Sequence, residues 1–142
     1  MFDRGTGEDP STFLTVLARA EPGRIKAMAE RVLPELGAVE VLASRTGLVM
    51  LPLRDTVKGV DFFLGEVLVA EARIAAAGTE GYGMVTGRDL EQAMAMAVLD
   101  AARSLGLPGV AEFVRDEAAV QAASDDARLR RVEATRVDME TF

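Results

Sequence analysis

Residues 81–105 read GYGMVTGRDLEQAMAMAVLDAARSL, and how this stretch folds decides the rest of the chain. From Asp89 onward, Leu90, Ala93, Met94, Ala97, Val98, Ala101 and Leu105 recur three and four apart, the spacing of one helical face. Met96 and Leu99 widen that stripe, which predicts a central helix buried from more than one side, on a sheet and against a further element. Gly106 and Pro108 stop it. Ahead of it, Tyr82 to Val85 reads as a strand, Thr86-Gly87 as a tight turn, and Asp89 as the residue that caps the helix.

The glycines invite a nucleotide-loop reading, and their spacing refuses it. A dinucleotide fingerprint would need its third glycine where Thr86 stands, with the glycines after the strand and not within it. No glycine here is followed by Lys-Ser or Lys-Thr, so the phosphate-binding P-loop fails as well. What survives is a strand, a turn and a capped helix with Arg88 at the helix's positive end. Free backbone N–H groups plus an arginine form one way of holding an anion such as a phosphate. The plainer reading gives Gly87 to the turn, Asp89 to the cap and Arg88 to solvent.

Working toward the N-terminus, the apolar run from Phe62 to Ala76 reads as a long strand or, in its alanine-rich half, a helix; Gly65, Val67-Leu68-Val69 and the closing Gly78-Thr79 favour the strand, with Ala70 to Ala77 open to either. Val39 to Ala43 and Leu48 to Arg54 are short and rich in branched apolar residues, with the turn-like Ser44-Arg45-Thr46-Gly47 between them, which predicts a hairpin. Pro52 cannot donate to a ladder and marks an edge, a bulge or an early end. Two helices come first. One is capped by Ser11 and runs through Ala20, with Phe13, Leu14 and Leu17 at helical spacing; the other carries Ile25, Met28, Ala29, Val32 and Leu33 and is ended or kinked by Pro34, its regular part stopping at about Leu33.

The predicted fold is therefore α+β: two N-terminal helices, a four-stranded antiparallel meander, a central helix packed on the sheet, and a C-terminal helical arm. Residues 1–11 read as a mobile arm, 12–106 as the core domain, and 107–142 as the arm used for assembly. That arm is mostly good helix former with few large apolar residues after Val120, so it is either a solvated helix laid on the domain or a segment that orders on a partner.

Composition narrows the chemistry. With 142 residues and 49% hydrophobic content the chain can bury one core, not two. It has no cysteine and no histidine, which removes disulfides, thiolate metal sites, the thiol nucleophile and the commonest general base. The net charge of −7, with scattered basic residues and no tryptophan, argues against nucleic acid. The polar, acidic opening MFDRGTGEDPST is unlike a signal peptide and no apolar run approaches a membrane span, so a cytoplasmic chain is expected. Glu71 and Arg73 are best explained by a cross-strand ion pair, and Asp125-Asp126 lacks the further oxygens of a calcium loop. The methionines read as core filler.

Gly81-Tyr82 followed by Gly87-Arg88-Asp89 resembles the most recognisable segment of the PhnG family. Further matches fall in order around it: Thr46-Gly47-Leu48-Val49, Phe63-Leu64-Gly65-Glu66, Leu99-Asp100-Ala101 and Thr135-Arg136-Val137-Asp138. The resemblance implies a part in phosphonate breakdown, as a non-catalytic subunit of the carbon-phosphorus lyase core complex with PhnI, PhnH and PhnJ type subunits. In that scheme PhnI, helped by PhnG, PhnH and the ATPase-like PhnL, replaces the adenine of MgATP with a phosphonate to give a ribose 1-phosphonate 5-triphosphate. PhnJ, an iron-sulfur radical enzyme using S-adenosylmethionine, later breaks the carbon-phosphorus bond. The expectation is that this chain binds no cofactor itself while the complex uses MgATP, and that Tyr82, Gly87, Arg88, Asp89, Arg136 and Asp138 face a partner or a ligand. Two other arrangements are weighed: a stand-alone anion-binding or hydrolytic domain centred on Gly87-Arg88-Asp89, and a homodimer that covers the wide apolar helix stripe with its own copy.

Overall fold

The computed structural model describes residues 10–55, 57 and 59–140, with side chains at 11–50, 57, 59 and 65–135. Four helices, α1 (Pro10–Arg19), α2 (Pro22–Leu36), α3 (Leu90–Ser104) and α4 (Val110–Glu140), accompany three strands, β1 (Val39–Asp55), β2 (Val60–Ala76) and β3 (Thr79–Thr86). The strands form an antiparallel meander in the order β1-β2-β3. The class is α+β as expected, but the sheet has three strands among the described residues, not four.

The missing strand is explained by Ser44-Arg45-Thr46-Gly47, which is not a turn. These residues pair with Ala72, Glu71, Ala70 and Val69 in mid-ladder, and β1 runs on as one strand of 17 residues. An equally long β2 lies alongside and satisfies the backbone, and that ladder outweighs the local turn preference of four polar or small residues. Register shifts fall between Val41 and Ala43 and between Leu51 and Pro52, so the proline sits at an irregularity of an edge strand, where its missing N–H costs least. The turn between β2 and β3 is Ala77-Gly78, both at positive φ (49° and 80°), as a two-residue hairpin connection requires.

Two helix boundaries also differ from the sequence reading. Helix α1 already includes Pro10, which places Ser11 inside the first turn and not at the cap; the remainder of the expected arm, residues 1–9, lies outside the described residues. Helix α2 continues through Pro34 to Leu36. Proline removes one hydrogen bond there, but Pro34 and the preceding turn at Glu30 are exposed, so the released carbonyl meets water, while Leu36 at 3% exposure anchors the last turn in the core. Glu21 starts α2: its carboxylate accepts from the N–H groups of Gly23 (3.1 Å) and Arg24 (2.7 Å), which holds it below the usual carboxylate range.

Helix α3 lies on one face of the sheet, against β3 and β2, and α2 packs on α3. Phe13, Leu17, Ile25, Ile74, Met96 and Leu99 are fully buried between these layers. Helix α4 is fixed to the body by the buried Val110 and Val114 and by polar contacts. Buried Glu117 accepts from Arg24 (3.1 and 3.2 Å) and from the Glu21 N–H (3.3 Å); Gln121 donates to the Val16 carbonyl (2.9 Å); Arg19 pairs with Asp125 (2.8 Å). Among the described residues no helix is long and apolar enough to cross a membrane.

Candidate functional site

Segment 81–89 is built from three local requirements. The first is the approach of α3. Along β3, Gly81, Gly83 and Val85 point into the protein while Tyr82 and Met84 point to the other sheet face. A Cβ on Gly81 would collide with the Ala97 carbonyl and lie 2.9 Å from the Ala101 nitrogen; one on Gly83 would collide with the Ala93 carbonyl and lie 2.6 Å from Met96 Cβ. The facing helix stripe is Ala93, Ala97 and Ala101, all fully buried. Both glycines are thus spent on backbone-to-backbone packing between strand and helix, a use that leaves them nothing to do with phosphate.

The second requirement is the turn. Gly87 has φ +98°, and its N–H donates to the Leu68 carbonyl (2.8 Å), which ties the end of β3 to β2. The third is the cap. The Asp89 carboxylate accepts from the Gln92 N–H (3.0 Å) and from Lys26 Nζ on α2 (3.1 Å), and these bonds, the backbone one first, hold it below its ordinary range. Arg88 is left exposed between turn and cap, and its guanidinium has no polar partner among the described residues.

Tyr82 belongs to a different environment from Arg88. Its hydroxyl donates to Glu71 (2.9 Å), which also accepts from Arg45 Nε (3.0 Å) on β1. The expected ion pair on this strand is present, with Arg45 as the partner of Glu71, and the Tyr82 and Arg45 bonds draw the Glu71 carboxyl down. Burial, then the bond to Glu71, pushes the Tyr82 phenol up to about 12. A folded pKa above the unfolded value of ~10 means that the phenol favours folding below that pH and loses this effect as pH rises through its folded pKa. Tyr82 is the single tyrosine in a chain without tryptophan, so ultraviolet titration reads it directly. We expect its ionisation near 12, and Glu71→Gln to move it toward the free value; a wild-type midpoint near ~10 would contradict the buried geometry.

The backbone of Tyr82 has a further tie: its N–H donates to the Asp100 carboxylate on α3 (3.0 Å). Burial pushes the Asp100 carboxyl up, against the pull of that N–H. Asp125 and Asp126 are occupied by Arg19 and Arg130, and no group of three metal-ligating side chains is found among the described residues. Arg136 and Asp138 lie on the last turns of α4, with side chains outside the described residues. Sequence reasoning missed Lys26, which reaches Asp89 from the neighbouring helix, and Gln92, whose amide donates to the carbonyls of Ala18 (3.3 Å) and Ala20 (3.4 Å) and locks α1 to the start of α3. Neither stands in a motif. The signal available for Gln92 was a polar residue within an otherwise apolar helical face.

The family model of phosphonate metabolism protein PhnG matches residues 11–142, nearly the whole chain. The chain belongs to the PhnG family, and with it to phosphonate metabolism.

Proposed function

We propose that, as a PhnG family member, this chain is a non-catalytic, cytoplasmic subunit of the carbon-phosphorus lyase core complex. There, assembled with PhnI, PhnH and PhnJ type subunits, it supports the formation of ribose 1-phosphonate 5-triphosphate from MgATP and an alkylphosphonate. The observation that carries this reading is the division of labour within the signature segment. Gly81 and Gly83 serve packing, Gly87 and Asp89 serve the turn and cap, and Arg88 is the charged side chain that emerges exposed and without a polar partner among the described residues. A rigid turn that presents one arginine suits contact with a neighbouring subunit or with an anionic ligand held there, since arginine recognises carboxylate and phosphate alike. The lack of histidine and cysteine fits a supporting role.

Co-expression with the three partner proteins is expected to give a stable co-purifying complex. Arg88→Ala is expected to leave the melting temperature of the isolated chain unchanged, because the exposed side chain makes no hydrogen bond or ion pair among the described residues, while lowering the yield or the synthase activity of the complex by tenfold or so. A chain that stays alone at micromolar concentration would count against the subunit. Tight saturable binding of ATP or a phosphonate to the isolated chain, lost in Arg88→Ala, would favour instead a stand-alone anion-binding domain.

A further inference from the structure

Helix α4 keeps one face on the body through Val114, Glu117, Gln121 and Asp125, each three or four residues after the last. The same face continues through Leu129 and Val132, which are 62% and 55% exposed. The docking stripe therefore outruns the body it docks on, as follows from a helix of 31 residues, about 46 Å long. Beside these two apolar side chains stand Arg128 and Arg131, exposed and sharing one flank of the helix.

The complement lies elsewhere on the same molecule. Between α2 and α3 runs an open groove of about 210 Å³ with Leu33, Met94 and Val98 in its floor and Glu30 and Glu91 on its rim. Leu33 is 41% exposed there. Lys26 also lines the groove but is engaged by Asp89, and the carboxylates of Glu30 and Glu91 have no ion-pair partner among the described residues, so the uncompensated charge of the rim is negative. A two-fold pairing of α4 with its own copy would set Arg128 and Arg131 against the same arginines. The groove offers them acids.

We propose that two copies of this chain exchange arms: Leu129 and Val132 of each enter the α2–α3 groove of the other, with Arg128 and Arg131 beside Glu30 and Glu91. The exchange is reciprocal and closes as a dimer. The groove adjoins the Arg88 turn through Lys26 and Asp89, but the exchange does not use Arg88 and does not depend on the subunit reading. Light scattering and sedimentation equilibrium on the full chain at micromolar to hundred-micromolar concentration are expected to give twice the chain mass. Leu129→Asp abolishes the dimer, with the circular dichroism of the monomer unchanged. Arg131→Glu and Glu91→Arg each weaken it about tenfold, and the two together restore it. A single-chain mass throughout, a dimer indifferent to these changes, or a double reversal without rescue overturns the proposal. A monomer that still co-purifies with the phosphonate proteins overturns arm exchange and leaves the subunit reading standing.

Discussion

Gly83→Ala is expected to lower the stability of the chain by about 3 kcal/mol or more, because the new methyl group would meet the backbone of α3. The added carbon has no route of escape, because the atoms it meets are the Ala93 carbonyl and Met96 Cβ, not the end of a pliable side chain. To admit it, α3 must lift from β3 and loosen its buried alanine face along that contact. For a chain of this size such a loss lowers the melting temperature by roughly 10 °C. Gly81→Ala should behave alike through the Ala97 carbonyl. Gly65→Ala, with nothing within 4 Å, is the control and should be close to neutral. Thermal melts of the three variants decide the matter: equal, small shifts would mean that helix and strand are not in backbone contact. Gly87→Ala separates conformational from steric demand, since space is open there and only φ +98° resists, at about 1 kcal/mol.

Glu117→Ala is expected to loosen α4 on the body and cost about 2 kcal/mol. Glu117 is 4% exposed, and its carboxylate serves the Arg24 guanidinium and the Glu21 N–H together. Truncation leaves that N–H without its acceptor at the join between α1 and α2. Glu117→Gln, which keeps an oxygen for the Glu21 N–H, should recover part of the loss. Amide exchange is the sharper readout: α4 should lose protection in Glu117→Ala while α3, buried on several sides, keeps it. Uniform loss in both helices would instead make α4 part of one cooperative unit.

Much of this architecture was legible in residue order. The stripe from Leu90 to Ala101 placed α3, and Asp89 announced its cap, because helix period and capping act over a few residues and leave a local record. The strand across Ser44 to Gly47 was not legible, since what overrides the turn preference there is β2, more than twenty residues away. Pro34 misled for a related reason: the burial of Leu36, a tertiary fact, outweighs the missing hydrogen bond. At the site, the turn, the cap and the exposed Arg88 followed from spacing. The meaning of Gly81 and Gly83 did not, because it requires knowing that α3 folds back onto β3 with alanines facing it. Lys26 and Glu117 act across tertiary contacts between helices and were invisible for the same reason.

The unequal lengths of the strands carry a last consequence. Thr86, where β3 ends, stands opposite Val69, and β2 pairs with β3 only from Val69 to Ala76. Beyond that line β1 and β2 run on as a ribbon in which each strand has one neighbour, with Leu48, Val49 and Met50 exposed on it. Hence β2 is one element in geometry and two in energy. Amides of β2 from Ala70 to Ala76, held between β1 and β3, should open only with the core, whereas those that join β1 and β2 around Leu48 to Met50 should open with the ribbon alone, so a boundary of local unfolding crosses β2 near Val69.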